Sequence, residues 1–293
     1  MLPTEKLILG TVQLGLPYGI NNKTGKPSES GAFDILDFAY KNQVSYLDTA
    51  EGYGDSQKII GDFHRASVNR FFKVTTKIGK AQFSSENGIR QHIADTIKIL
   101  GVSSLEGYLF HSFDAYETFE YWDVLHSLVN ERQIRNIGVS VYTNEQAEKA
   151  AGDERISLVQ LPFNILDNFA QRGSVLALLK NKMKEVHVRS VFLQGLFFMK
   201  ENMVPSNLLR LVPYLEQIRA IIDKTDLTIN ELALSYALQQ PLIDKVLIGV
   251  DDLEQLKNNI RIADSVNNFD PALLDQVNKI KVHEIDLLNP SNW

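Results

Sequence analysis

The sequence lacks cysteine, long apolar segments and any excess of basic residues. None of its 293 residues is a cysteine, which excludes disulfides, Cys-ligated zinc and catalysis by a thiol. The longest apolar stretch, residues 191–199, is interrupted by Gln194 and is far shorter than the roughly 20 residues of a membrane span. The 30 basic and 36 acidic residues give a formal net charge of −6, so we expect neither a nucleic acid nor a membrane as a partner.

The first residues of the sequence do not have the pattern of a targeting signal. Glu5 and Lys6 stand before a very short apolar run, so we expect no signal peptide and a soluble, cytoplasmic protein. Hydrophobic residues make up 44% of the chain and charged residues 23%. This composition supplies a large core and excludes a disordered chain or a disulfide-dependent scaffold.

Eight short apolar runs alternate with longer segments of helical periodicity. The runs are rich in Val, Ile, Leu, Phe and Tyr and most lack polar alternation, which is typical of strands buried on both faces. They cover residues 7–12, 44–50, 71–78, 105–110, 136–140, 158–163, 186–193 and 246–250. Helical patterns follow at residues 28–42, 88–100, 208–224, 228–239 and 253–263.

This alternation predicts repeated strand–helix units with a parallel sheet. Eight units in about 250 residues is the number that closes a (β/α)8 TIM barrel. A doubly wound open sheet is the competing architecture. No linker or change of composition divides the chain, so we predict one domain over residues 1–293.

Polar residues stand where three consecutive apolar runs end. Asp48 lies near the end of the second run and Tyr53 follows that run, Lys77 lies near the end of the third, and His111 follows the fourth. Taken singly, each has an ordinary structural role: a turn cap, a packed aromatic, a solvated lysine or a satisfied core histidine. Active-site groups of such barrels lie at the carboxyl ends of the strands, so the joint placement favours a site at one mouth.

These four side chains suit the protonation of a carbonyl oxygen. A tyrosine near its reference pKa of ~10 is a poor acid at neutral pH unless its phenolate is stabilised. An adjacent ammonium supplies that stabilisation, a carboxylate holds the ammonium, and a histidine can bind the same carbonyl oxygen. Because no side chain donates hydride, the reaction also needs a nicotinamide or flavin cofactor.

The sequence around these residues resembles the aldo-keto reductase family. The signature-like stretch LDTAEGYG at residues 47–54 is continued by Ser56, Gln57 and Gly61. Later pieces keep the family's order: TKIG at 76–79, LFHS at 109–112, GVS at 138–140, VQ at 159–160, and LIG at 247–249 followed by Gln255 and Asn259. The resemblance covers residues 6–265 and implies a (β/α)8 barrel, a dissociable NAD(P)H, and reversible reduction of a small-molecule carbonyl compound.

The resemblance also implies the roles of individual residues. It makes Tyr53 the general acid, with Lys77 and Asp48 tuning it and His111 placing an aldehyde or ketone. The cofactor-binding residues that we expect are Thr11, Asp48, Ser140, Gln160, Arg189, Ser190, Leu193, Gly195, Gly249, Asp251, Gln255, Asn258 and Asn259.

The chain departs from the family pattern at several places. Val141 stands where members commonly have an Asn that contacts the nicotinamide amide, which leaves Ser140 and Gln160 to hold it. Arg189 stands where an aromatic residue usually stacks on the ring, although a guanidinium plane can also stack. We expect the chain to lack the hairpin that usually plugs the barrel bottom in this family. The short loop after His111 predicts an open cleft that would admit a sugar or a nucleotide-linked sugar.

The segment after the last run bears on the choice between NADH and NADPH. Its residues Gly249, Val250, Asp251, Asp252 and Gln255 include no base. Two carboxylates there would repel a 2′-phosphate, whereas a 2′-hydroxyl can donate to one of them. Alternatively, both aspartates only cap the helix that begins at residue 253, or the downstream bases at 257 and 261 reach the 2′-position. We therefore predict that the protein has only a weak preference for NADPH or a modest preference for NADH.

Other functional patterns are absent or incomplete. The histidines at 64, 92, 126, 187 and 283 never pair at metal-ligand spacing, so we predict no metal site. Residues 52–57 approach a dinucleotide fingerprint but lack its third glycine.

The competing function is a regulatory module that binds the cofactor, as in the potassium-channel β subunits, which resemble these reductases. All four catalytic positions are filled, which favours the enzyme.

Overall fold

Eight parallel strands form a closed barrel in chain order. The computed structural model describes residues 3–67, 69–79, 83 and 85–293. The strands are β1 (Leu7–Gly10), β2 (Tyr46–Asp48), β3 (Lys73–Ile78), β4 (Leu105–Phe110), β5 (Ile134–Ser140), β6 (Leu158–Pro162), β7 (Glu185–Arg189) and β8 (Lys245–Gly249). Each strand pairs with the next, and β1 pairs with β8 through Ile8 and Leu247. This closure confirms the predicted barrel and excludes the open sheet.

Helices follow the strands and cover the outside of the barrel. The α-helices are α1 (Val12–Gly15), α2 (Glu29–Lys41), α3 (Ser56–Ala66), α4 (Glu86–Leu100), α5 (Phe113–Glu117), α6 (Trp122–Asn130), α7 (Asn144–Gly152), α8 (Phe169–Asn181), α9 (Val212–Ile222), α10 (Ile229–Leu238), α11 (Leu253–Ser265) and α12 (Ala272–Asn278). Short 3-10 helices cover Pro3–Lys6, Leu193–Phe198, Glu201–Met203, Ser206–Leu211, Val266–Asn268, Ile285–Leu288 and Pro290–Asn292. Their apolar faces bury the strands, so the core fills the space between barrel and helices.

The clearest differences between predicted segments and observed elements lie after β7 and before α9. The seventh strand ends at Arg189 and not at residue 193, because Ser190 has a φ of +63° that a strand cannot continue. Val191 and Leu193 are buried within a tight turn, in which the Leu193 amide donates to the Ser190 carbonyl at 2.9 Å. The helix expected over residues 208–224 is a 3-10 helix followed by α9, and Pro213 stands in the first turn of α9.

Polar contacts close the amino-terminal end of the barrel. Within the described part of the chain, β1 is preceded only by the 3-10 helix Pro3–Lys6. Lys245 Nζ donates to the Glu5 carbonyl at 2.6 Å and lies 3.9 Å from the centre of the Tyr46 ring. Lys6 Nζ donates to the carbonyl of Leu238, the last residue of α10. Among the helices of residues 3–67, 69–79, 83 and 85–293, none has both the length and the apolar character to cross a bilayer.

Candidate active site

The four predicted catalytic side chains meet at the carboxyl end of the barrel. Asp48 ends β2, Lys77 lies in β3 and His111 follows β4, while Tyr53 lies between β2 and α3. Lys77 Nζ donates to Asp48 Oδ1 and, at 3.2 Å, to the carbonyl of Thr49. The same Nζ lies 5.2 Å from the centre of the Tyr53 ring. The Tyr53 and His111 rings meet edge to face with their centres 5.6 Å apart.

Lys77 and Asp48 form a buried, hydrogen-bonded ion pair. Both side chains are only 1% exposed. Burial opposes the charge on Lys77, but Asp48 and then Tyr53 outweigh it and raise the pKa of the lysine, which is therefore an ammonium. The second Asp48 oxygen, Oδ2, accepts from Gln160 Nε2 at 2.8 Å. Such a pair keeps a cation beside Tyr53 without exposing it to water.

His111 is electrically neutral in this environment. Burial, followed by the charge of Lys77, lowers the pKa of its imidazole to about 4. A neutral imidazole can donate through one ring nitrogen and accept at the other. At neutral pH, His111 can therefore donate a hydrogen bond to a substrate oxygen without adding a charge.

The turn that carries Tyr53 is held by contacts that the sequence did not reveal. Glu51 Oε2 accepts from the Gly79 amide at 2.9 Å, while its Oε1 pairs with His92 Nε2 at 2.6 Å. A Cβ on Gly15 would lie 1.8 Å from the Tyr53 carbonyl, so only glycine allows α1 to pack against the turn. Gly54 has a φ of +54°, which also favours glycine. Together they fix the position of Tyr53 relative to β3.

A cavity of about 590 Å³ begins at Tyr53, Lys77 and His111 and extends to the end of β8. Most predicted cofactor-binding residues line it: Ser140, Gln160, Arg189, Ser190, Gly195, Gly249, Asp251, Gln255 and Asn259. Thr11, Leu193, Asn258 and Asp48 do not. Asp48 lies behind Lys77, and Leu193 is buried in the turn after β7. Among the described residues, no group of three or more His, Asp or Glu side chains could hold a metal ion.

Thr11 and Asn258 do not line the cavity, and their side chains hydrogen-bond to neighbouring residues of the barrel and helices instead. Thr11 Oγ1 donates to the Asp48 carbonyl at 2.9 Å and accepts from Ser56 Oγ at 2.7 Å, which ties β1 to β2 and α3. Asn258 Oδ1 accepts from Arg261 Nη2 at 2.8 Å on the exposed side of α11. In the sequence, both residues lie close to residues that line the cavity, such as Gly10 and Asn259, so the sequence alone did not show that they lie outside its wall.

Gln160 presents an unpartnered acceptor at the cavity wall. Its Nε2 is committed to Asp48, whereas its Oε1 is buried and has no hydrogen-bond partner in the described structure. The Ser140 side chain lines the same wall. A buried carbonyl oxygen without a donor is costly, so this wall fits a ligand that brings an N–H group. The carboxamide of a nicotinamide is such a group.

The two aspartates after β8 have different roles. Asp252 caps α11, since its Oδ1 accepts from the Gln255 amide at 2.8 Å. Asp251 instead lines the cavity, where its Oδ1 accepts from Asn22 Nδ2 at 3.0 Å and burial raises the pKa of its carboxyl. Capping therefore explains only Asp252. Lys257 pairs with Glu254 and does not line the cavity.

Arg189 reaches across the mouth of the barrel from the end of β7. Its Nη2 donates to the Val141 carbonyl at 3.2 Å, and its Nη1 donates to Ser190 Oγ at 3.3 Å. The guanidinium carbon lies 4.2 Å from the centre of the Tyr142 ring. Arg189 is thus a stacked, half-buried cation in the cavity wall.

The loop between α1 and α2 covers part of the cleft that the sequence suggested would be open. The loop after His111 is short, because α5 begins at residue 113. However, the Ile20 amide donates to the Gln194 carbonyl at 3.1 Å, and Gln194 Nε2 donates to Tyr18 at 3.0 Å. The lining residues that sequence reasoning missed include Tyr18, Gly19, Asn21, Asn22, Tyr142, Phe192, Gln194, Phe198, Asn230, Pro290 and Ser291. Most lie in segments without periodicity.

Comparisons with known proteins agree with this architecture. A family model described as the aldo/keto reductase family matches residues 6–282. The chain is 25% identical to an NADH-specific methylglyoxal reductase of Escherichia coli, over 87% of this chain and 92% of that protein. It is also 25% identical to the Bacillus subtilis oxidoreductase YqkF, over 89% of this chain and 92% of that protein.

A solved structure shares the fold. The aldo-keto reductase AKR11C1 of Bacillus halodurans, in its holo form, matches with a TM-score of 0.72 and 19% identity, over 95% of this chain and 94% of that one. At this identity, the likeness shows the barrel alone. Together with the family match over nearly the whole chain, it leads to one conclusion: the protein belongs to the aldo/keto reductase family, whose members are NAD(P)H-dependent oxidoreductases that act on small-molecule carbonyl compounds.

Proposed function

We propose that this protein reduces an aldehyde or a ketone to an alcohol, with Tyr53 as the general acid. The observation that carries the proposal is the buried Lys77–Asp48 pair, whose ammonium lies 5.2 Å from the centre of the Tyr53 ring. When Tyr53 gives its proton to the carbonyl oxygen, negative charge develops on the phenol. A buried cation stabilises that charge more strongly than an exposed one, because water does not screen it.

The hydrogen bonds of Lys77 leave a donor for Tyr53. An ammonium has three N–H donors. Asp48 accepts one and the Thr49 carbonyl accepts a second, at 3.2 Å. The third is available to the phenol oxygen. Asp48 thus acts as a positioning residue that keeps Lys77 charged and aimed, while Tyr53 and His111 would contact the substrate.

His111 would orient the carbonyl group. Its imidazole is neutral above a pKa of about 4, so it can donate a hydrogen bond without competing with Tyr53 to supply the proton. The edge-to-face contact with the Tyr53 ring, at 5.6 Å between centres, keeps the two groups adjacent. An oxygen between them would receive a hydrogen bond from each.

The cavity wall fits a nicotinamide cofactor. Gln160 Oε1, which has no donor in the described structure, and the Ser140 hydroxyl would hold the carboxamide. When bound, such a cofactor would supply a hydride for the carbonyl carbon, and Tyr53 would give its proton to the carbonyl oxygen. Thr11 and Asn258 contribute to the framework of the site and not to its wall.

Asp251 favours NADH over NADPH. Its carboxylate lines the cavity and can accept from a 2′-hydroxyl, whereas a 2′-phosphate would meet a like charge. Lys257 and Arg261, the nearest downstream bases, pair with Glu254 and Asn258. The Escherichia coli relative, which is 25% identical to this chain, is named an NADH-specific reductase, and this name supports a preference for NADH.

The lining of the cavity suits a polar substrate with a ring or an apolar face. Tyr18, Phe192 and Phe198 offer aromatic surfaces, and Asn230 and Ser291 offer hydrogen bonds. A sugar or nucleotide-linked sugar is one substrate of this kind. The single domain over residues 1–293 and the cytoplasmic location remain predictions.

Oxidation of the cofactor in the presence of carbonyl compounds tests this function. We would follow NADH and NADPH absorbance with a panel that includes methylglyoxal, simple ketones and reducing sugars. The proposal predicts steady turnover with at least one member and faster turnover with NADH. A protein that binds either cofactor tightly but turns over no member of the panel would be a binding module, which would contradict the proposal.

A further inference from the structure

Arg189 is a cation of the cavity wall that no carboxylate neutralises within the described residues. Its contacts are the Val141 carbonyl at 3.2 Å, the Ser190 hydroxyl at 3.3 Å and the face of Tyr142 at 4.2 Å. In contrast, the buried guanidinium of Arg172 is held by both oxygens of Asp167. Asp167 acts on Arg189 only at longer range, so Arg189 contributes to the cavity a positive charge that no carboxylate contacts directly within the described residues.

The position of Arg189 places this charge beside the proposed carboxamide site. Arg189 ends β7 and hydrogen-bonds the residue that follows β5, so its side chain crosses the carboxyl end of β6. Gln160, with its unpartnered Oε1, lies in β6, and Ser140 ends β5. A nicotinamide held by Gln160 and Ser140 would have Arg189 as a neighbour.

The positive charge of Arg189 also acts on His111 in the catalytic centre. Burial and Lys77 are the main causes of the low pKa of His111, and Arg189 adds to them. Lys77 and Asp48 form an ion pair with each other, so Arg189 is a further positive charge that acts on this centre, with Glu51 acting on His111 in the opposite direction. Tyr142 covers one face of the guanidinium, which leaves the cavity for the other.

We propose that Arg189 makes the site discriminate between the two redox states of the cofactor, favouring the reduced nicotinamide over the oxidised one. This inference rests on the proposed function. The oxidised ring is a cation and the reduced ring is neutral and electron-rich. A guanidinium repels the first and attracts the second through its π-face, so both effects have the same sign. The oxidised cofactor would leave readily after turnover, and the site would be poised for carbonyl reduction.

Binding measurements without a carbonyl substrate test the proposal. We would determine Kd for NADH and NAD⁺ by titration at one salt concentration, for the wild type, Arg189→Gln and Arg189→Lys. The Arg135→Gln variant is the matched control, since Arg135 lies near the opposite end of the barrel with a side chain that is 69% exposed. We expect the wild type to bind NADH at least about tenfold more tightly than NAD⁺.

The variants separate charge from packing. Arg189→Gln should lower the ratio of the Kd for NAD⁺ to the Kd for NADH about tenfold, mainly because NAD⁺ binds more tightly. Arg189→Lys keeps the charge but not the flat guanidinium and should keep part of this ratio, while Arg135→Gln should keep all of it. An unchanged ratio in Arg189→Gln, or an equal weakening of both forms, would overturn the inference and leave the proposed function intact. Failure of the wild type to bind either form would overturn both.

Discussion

Lys77 and Asp48 form an ion pair inside the barrel in which each side chain is only 1% exposed. They come from neighbouring strands, and β2 pairs with β3 through Asp48 and Thr75. Across the barrel, Gln160 of β6 donates to the same carboxylate at 2.8 Å. Three strands thus fix one ammonium beside Tyr53, and this arrangement is the physical basis of the proposed proton transfer.

Replacing Lys77 by Met should slow carbonyl reduction and move the apparent pKa of the pH–rate profile upward. Removing a cation disfavours the phenolate that forms as Tyr53 gives up its proton, so deprotonation requires a higher pH. The measurement is kcat/KM against pH, with Lys73→Met, an exposed lysine of the same strand, as the control.

The single Lys77 variant also leaves Asp48 buried without its partner. This should lower the free energy of unfolding by about 3–5 kcal/mol. The double variant Asp48→Asn, Lys77→Met removes both charges and should recover part of that loss. A folded Lys77→Met enzyme with an unaltered pH profile would show that Lys77 does not act on Tyr53.

His111 should stay neutral throughout the physiological range. Its pKa is lowered to about 4, from a reference value near 6.5. Because the folded-state value is the lower one, the neutral imidazole favours the folded state above pH ~6.5, and this contribution is lost as the pH falls towards 4. Imidazole NMR titration of the wild type and of His111→Gln would identify the resonance. Titration of His111 near 6.5 would contradict the described burial.

Asp251 should control the choice between NADH and NADPH. The Asp251→Asn variant removes the repulsion of a 2′-phosphate, so the affinity for NADPH should rise relative to NADH by roughly tenfold. Asp252→Asn is the matched control, because it removes the same charge one residue away and asparagine can still cap α11. Kd values for both cofactors give the result. An equal response of the two variants would mean that only the overall charge matters.

The barrel was predictable because its signals are local and repeated. Buried strands such as Leu105–Phe110 are short apolar runs, and helices such as α4 carry an N-terminal cap and one buried apolar face. The predicted convergence of Asp48, Lys77 and His111 followed from one rule, that successive parallel strands end at the same face. Predicting this convergence does not require the conformation of any loop.

The covering of the cavity was not predictable in the same way. Tyr18 and Asn22 belong to a loop without periodicity, and their contacts are with Gln194 and Asp251, about 170 or more residues away in sequence. The turn after β7 uses left-handed residues, among them Leu193 with a φ of +45°, for which no glycine gives a signal. Only the packed barrel brings these segments together.

The Tyr53→Phe variant tests the central claim most directly. It removes one hydroxyl and leaves the aromatic contact with His111 in place. Tyr18→Phe is the matched control, since Tyr18 also lines the cavity but its hydroxyl bonds Gln194. The account predicts that kcat for carbonyl reduction falls about 10²–10⁴-fold in Tyr53→Phe, with the Kd for NADH little changed and Tyr18→Phe close to wild type. Near-wild-type turnover in Tyr53→Phe would contradict the assignment of Tyr53 as the general acid.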